Sequence, residues 1–266
     1  MMGDLQWGVE TGGRLTDDDR LRYLEMAARA QVVSSAAAIA RSHDRLRHVD
    51  LDDIEVPDSK LAYAAAAYSA KHSCIALLNH CFRCYHWGVL LALADGSYIR
   101  DEEALFVAAM LHDLGVSDRH HGTQKGIGCF AVEGAVCASQ WLAENGCGAP
   151  RGQIIADAIA LHLNPIVEAS SGETAVYLQA GASCDILGVR CVEIPQRLAR
   201  QVIEADPSEG IETKFASFIA REARERPASR LGAFVASQDG DLPPLCPWRE
   251  LERERDLQPQ SLGAAE

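Results

Sequence analysis

The sequence predicts an all-α protein, a bundle of about eight helices. Apolar residues recur at helical spacing along most of the chain, and no run of alternating β-branched residues marks a strand. Polar caps and glycine stops punctuate the chain at helix-length intervals. Its 266 residues, 48% hydrophobic and 24% charged, suffice for one large helical domain with a small appendage.

Each element follows from local signals. Residues 1–15 read as an irregular lead-in containing Gly12 and Gly13. Thr16, followed by three aspartates, opens a helix toward Arg45, with a hydroxyl cap and negative charge at the positive end of the dipole. Residues 46–57 form a polar connection. Asp58 or Ser59 caps a long helical region that bends near His72–Ser73 and stops at Asp95-Gly96-Ser97. Asp101-Glu102-Glu103 starts the next helix, which Gly115 closes, and a polar glycine-containing loop covers 116–129. Further helices are expected over Glu133–Asn145, from Pro150 to His162–Leu163, over Glu173–Leu187, near Pro195–Glu204 and over Glu212–Arg224. This divides the chain into an N-terminal helical extension (1–57), a metal-binding helical domain (58–235) and a C-terminal tail (236–266).

The net charge of −13, from 38 acidic and 25 basic residues, disfavours nucleic acid and anionic membranes as partners. A small-molecule substrate fits better, and the apolar helical faces leave room for a homo-oligomer. The nine cysteines are odd in number and fall mostly inside apolar helical patterns, as expected of buried free thiols. The opening residues lack a charged-then-apolar leader, and the longest apolar stretch, around Val89–Ala94, falls far short of the roughly 20 residues a membrane span needs. A cytoplasmic protein is expected.

The sharpest chemical signal is Leu111-His112-Asp113-Leu114-Gly115, at the end of the apolar run Ala104–Met110. A buried carboxylate needs compensation, and a divalent cation supplies it, although a His-Asp pair at a helix end can also simply cap or pair. His80 shares a helix face with Arg83, His162 ends another apolar run, and Asp185 interrupts a stretch otherwise free of charge. Taken singly, each suits a satisfied core residue. Together they supply nitrogen and oxygen donors from separate helices, as metal sites in bundle cores do. Cys81-x-x-Cys84 lacks a second pair, so packing is the expected role, with Cys84 one turn from His80.

The order His … His-Asp … Asp resembles the HD metal-dependent hydrolase superfamily, most closely its cyanamide hydratase-like branch. The likeness rests on Asn79–Gly88, Leu111–Gly115, Cys129–Ala135, Ile159–Pro165 and Gln179–Gly188, and covers about residues 60–225. It implies an HD-domain helical bundle with one divalent metal, zinc first, iron or manganese as alternatives. His80, His112, Asp113 and Asp185 map onto the ligand positions, and Asp113 and His162 onto catalytic roles. Arg83, His120, His121, Glu133 and Asn164 become candidates for touching substrate or supporting the ligands. Val116 stands where phosphohydrolases of the superfamily often place lysine, and Ala131 where hydratases often place an acid.

The function this predicts is attack of metal-activated water on a small nitrogen-containing substrate, nitrile-like, cyanamide or amide. The alternatives are a phosphohydrolase acting on a nucleotide or small phosphoester, a di-iron oxygenase recruiting His120 or His121, and a noncatalytic metal-binding sensor or scaffold.

Overall fold

A computed structural model describes residues 1–30, 34–238, 245, 247–248 and 251. Among these residues the protein is twelve α-helices with no strand: α1 (Leu5–Thr11), α2 (Asp17–Ala30), α3 (Ala36–Arg45), α4 (Lys60–His72), α5 (Ile75–Asp95), α6 (Glu102–Leu111), α7 (Phe130–Glu144), α8 (Ala149–Leu161), α9 (Glu173–Leu187), α10 (Gln196–Ala205), α11 (Ile211–Glu225) and α12 (Arg230–Ser237). The all-α expectation holds, with more and shorter helices than the eight expected. The tail expected over 236–266 lies largely outside the described residues.

The expected helix from Thr16 to Arg45 is instead two, α2 and α3, with Ser35 capping the second through its bond from the Ala38 amide. The bend expected near His72–Ser73 is a full break, because Ser73 and Cys74 are both extended. Two short helices were not expected. In α1, Asp4 accepts from the Trp7 amide, and the Leu5 amide donates to Asp157 of α8, so tertiary contacts hold a segment of weak local propensity. In α12, Ser229 caps the Gly232 amide.

The centre of the bundle is α5. It is buried on nearly every face, as expected of a helix that is apolar all round. It packs along α9, and two glycines set the spacing. A β-carbon on Gly181 would collide with the carbonyl oxygen of Cys84, and one on Gly88 would lie 2.7 Å from the carbonyl oxygen of Tyr177. Close approach of the backbones brings the polar residues of α9 against those of α5. A second close contact sits beside α6, where a side chain on Gly115 would strike the carbonyl of Phe130 at the start of α7.

The N-terminal segment packs on this bundle. The Gly128 amide donates to Gly12 at 2.6 Å, and the Leu15 amide donates to Ala228 at 2.9 Å. The eight described cysteines are all free thiols. No helix among the described residues is long and apolar enough to cross a membrane.

Candidate metal centre

His112 and His162 end their helices in the same way. Each is the C-terminal cap, of α6 and α8 respectively, with helical dihedrals. The last carbonyls of a helix lack amide partners and accept other donors. His112 Nδ1 donates to the Ala109 carbonyl at 2.8 Å, and His162 Nδ1 donates to the Ile159 carbonyl at 2.6 Å. Each bond places the ring proton on Nδ1 and leaves a lone pair on Nε2.

His80, in α5, reaches the same state by another route. Its Nδ1 lies 2.7 Å from Asp185 Oδ2, and the carboxylate is the acceptor. Its Nε2 lies 3.2 Å from His112 Nε2. Asp113 Oδ2 is 3.4 Å from both nitrogens. That oxygen is buried and has no hydrogen-bond partner. A buried carboxylate oxygen left unpaired beside two inward-facing imidazole nitrogens is costly unless a cation joins them. The triangle also has the right size. Bonds of about 2.0–2.1 Å to a tetrahedral zinc require donor separations of about 3.3 Å, against 3.2, 3.4 and 3.4 Å here. The residues therefore fit a divalent metal.

His162 stands beside the triangle, its Nε2 3.8 Å from the other Asp113 oxygen. His112, Asp113 and His162 also offer donor atoms close enough together to share an ion.

Asp185 meets His80 at Nδ1, not at the Nε2 of the triangle. Arg83 grips it with two bonds of 2.8 Å, Trp87 Nε1 donates to it at 2.7 Å, and His80 takes the remaining side. Arg83 also donates to the carbonyls of Asp206 and Pro207. His80, Arg83 and Trp87 lie at positions i, i+3 and i+7 of α5, so one helix face presents all three to Asp185. Trp87 stacks on Trp248 at 4.4 Å between ring centroids.

The charges follow from these contacts. Burial works against a proton on His80, but the bond to Asp185 and the charges of Asp185 and Asp113 outweigh it and raise its pKa. Burial pushes Asp113 upward, and the imidazoles of His112, His80 and His162 overcome that and hold it below the usual carboxylate range. Asp185 is held low chiefly by Arg83, against the opposing effect of burial. Burial, then His112, lower His162 to about 3, so its ring is neutral. His112 is also lowered, mainly by burial. Cys84 touches the His80 ring with Sγ 3.4 Å from Nε2, and burial raises its thiol well above the ordinary value.

Residues 77–231 match the family model of the HD domain. The chain belongs to the HD domain family. Members of this family are in the main metal-dependent hydrolases, and two groups that share His112, namely His80 with Cys84 and Asp113 with His162, bring together donors that could hold a metal. No curated protein matches the chain.

The remaining sequence candidates sit elsewhere. His120 is bonded to Ser117 Oγ at 2.8 Å and to the Tyr68 hydroxyl at 3.0 Å, away from the cluster. His121 pairs with Glu222 at 3.0 Å. Glu133 accepts the amides of Gly122 and Gln124 and the guanidinium of Arg226, which ties the loop after the His-Asp turn to α7 and α11. Asn164 accepts from Arg230 and donates to the carbonyl of Met2, and it lines the cavity onto which the cluster opens. The sequence reading missed Glu222, Arg226 and Arg230. Their arginine-glutamate pattern looks the same in a solvated helix face, and only burial distinguishes the two.

Proposed function

We propose that this HD-family protein hydrolyses or hydrates a neutral carbon–nitrogen substrate, an amide or a nitrile-like compound. The observation that carries the reading is the cavity itself. His80, His112, Asp113 and His162 line it, and among its described lining residues there is no lysine or arginine. Among these described residues a phosphoester would meet no lysine or arginine. Val116 in place of the phosphohydrolase lysine and the resemblance to the cyanamide hydratase-like branch point the same way.

In this reading His80, His112 and Asp113 hold the metal, with zinc the best match to nitrogen and oxygen donors at this spacing. Three protein ligands and one open position are the usual arrangement of a catalytic zinc site. When bound, a divalent cation supplies Lewis acidity and makes water nucleophilic near neutral pH. Asp185 acts through His80, fixing its tautomer and orientation, as supporting carboxylates commonly do for metal-bound histidines. Arg83 and Trp87 hold Asp185 in turn. His162 Nε2, a neutral acceptor, would hydrogen-bond and orient the attacking water, whose proton would pass on to the substrate nitrogen. For an amide, the water oxygen bonds to the carbonyl carbon, the carbon–nitrogen bond breaks and the amine leaves protonated by that transfer. For a nitrile, water adds across the triple bond and both protons finish on the amide product.

The test is a substrate panel of amides, nitriles, cyanamide and nucleotides, each run with and without chelator. Chelator-sensitive turnover of carbon–nitrogen compounds is expected. Release of phosphate from nucleotides, with no action on any carbon–nitrogen compound, rejects the proposal.

A further inference from the structure

The cavity at the cluster has a volume of about 460 Å³. That is about three times the ~150 Å³ of an apolar cavity able to take up benzene, and it falls in the range of pockets that enclose whole organic ligands. At roughly 30 Å³ per water-sized unit it corresponds to about fifteen units, whereas cyanamide brings about three heavy atoms. The compact substrate expected from sequence would occupy a small corner.

Most of the wall is hydrocarbon, with Tyr23, Asn164, Gln179 and Ser183 as its polar members outside the cluster. Ile186 comes from α9, Phe215, Phe218 and Ile219 from α11, and Leu231 and Phe234 from α12. The apolar surface reaches the cluster itself. The Phe215 ring lies 5.1 Å from that of His80, and Phe130 lies 5.7 Å from His162 and 5.0 Å from Phe218. Along α11 the lining residues fall at i, i+3 and i+4, so one face of that helix is given over to the cavity. A substrate whose reacting group sits at His112 and Asp113 must lay the rest of itself against these side chains. Room and lining together select a molecule that buries apolar surface.

We infer that the substrate carries an extended apolar body, an alkyl chain or aryl group, attached to the carbon–nitrogen group that reacts at the cluster. This rests on the reaction proposed above and names the kind of molecule that undergoes it. The polar end meets the cluster, and the hydrocarbon fills the chamber between α9, α11 and α12.

The test uses a series of straight-chain primary amides from acetamide to decanamide, with cyanamide alongside. Binding is measured calorimetrically on chelator-treated full-length protein, and turnover is measured on the metal-loaded protein. Binding should tighten about fourfold per added methylene (~0.8 kcal/mol per buried CH₂) until the chamber is filled, then level off. The specificity constant kcat/KM should climb with it. Two variants shrink the chamber from different walls, Ala182→Phe on α9 and Ala27→Leu on α2. Either one, if folded by circular dichroism, should move the levelling-off point to shorter chains. Binding that stays flat along the series, or turnover of cyanamide and acetamide equal to that of the longest amide, overturns the inference. Tightening along the series with no hydrolysis of any member upholds the apolar chamber and rejects the reaction assigned to it.

Discussion

Replacing Asp185 by asparagine changes one atom and inverts the logic of two contacts. In the native site the carboxylate accepts from Arg83 twice, from Trp87 and from His80 Nδ1. The asparagine oxygen can still accept from Arg83 Nε and Trp87. Its amide nitrogen then faces Arg83 Nη2 and His80 Nδ1, donor against donor. His80 can relieve the second clash only by moving its proton to Nε2, the atom that faces His112 and Asp113. Two losses follow. The buried Arg83 guanidinium loses its counter-charge, at about 3–5 kcal/mol for a broken buried pair, softened by the bonds it keeps to the Asp206 and Pro207 carbonyls. Metal affinity falls about 10–100-fold, the usual effect of removing a partner behind a ligating histidine. Urea denaturation of the metal-free protein reads the first, and chelator competition reads the second. Unchanged stability together with unchanged affinity would refute the account of Asp185. An affinity loss as deep as that of His112→Ala would make Asp185 a direct ligand and refute its placement behind His80.

Other expectations follow from the same geometry. His112→Ala should abolish stoichiometric metal binding by mass spectrometry, whereas His162→Gln should keep the metal and lose about 10²–10⁴ in kcat. If His162→Gln also comes out metal-free, His162 is a ligand. Gly181→Ala should destabilise the fold by about 1–3 kcal/mol through overpacking at the α5–α9 contact, visible as a lowered urea midpoint. Glu133→Gln should speed amide hydrogen exchange at Gly122 and Gln124, with a cost of about 1–3 kcal/mol for a buried group left unpaired. The metal-free protein should lose Tm on acidification from about pH 6.5, the ordinary histidine value, down toward the folded pKa of about 3 at His162. The sign follows from proton counting. His162 and His112 have lowered pKa values in the fold, so the unfolded chain binds more protons in that window and is favoured as pH falls. His80 is raised and works in the opposite sense, favouring the fold below pH 6.5, but burial also lowers His72 and His120, so it stands one against four. A Tm that rises between pH 6.5 and 4 would contradict these assignments.

The fold class and the members of the cluster were legible because they depend on contrast. A polar residue inside an apolar helical run stands out, as His80, His112, Asp113 and His162 do; Asp185 stands out in the same way and was expected as a ligand, whereas it meets His80 Nδ1 and Arg83. The bounds of α9, Glu173–Leu187, coincide with those read from Gly188 and the flanking pattern. Orientation was not legible. Sequence shows that the charge of Asp185 is buried, but not whether a cation or Arg83 compensates it. The break between α4 and α5 carries neither proline nor glycine, so nothing local distinguishes it from a bend. The chamber was invisible for a related reason. Phe215, Phe218 and Ile219 have the same spacing whether they pack against a core or line a cavity.

The apolar surroundings link the metal centre to its substrate. They make the Asp113 oxygen unaffordable without a cation, and they also strengthen every electrostatic interaction a bound cation makes, because little water is left to screen it. A charged substrate would have to shed its hydration to enter between α9, α11 and α12, and no lysine or arginine lines the described walls to repay that. A neutral molecule loses far less on entry and gains by covering hydrocarbon. In the proposed function the same walls work toward the exclusion of phosphoesters, whose charge meets no lysine or arginine among the described lining residues. Introducing a cation should relax that exclusion. Ile219→Lys, which places an ammonium on the α11 wall, should raise the affinity of the metal-free protein for a phosphoester such as phenyl phosphate while weakening its binding of long-chain amides. Calorimetric titration of both ligands measures this, and no change in either affinity would mean that the wall does not select the substrate.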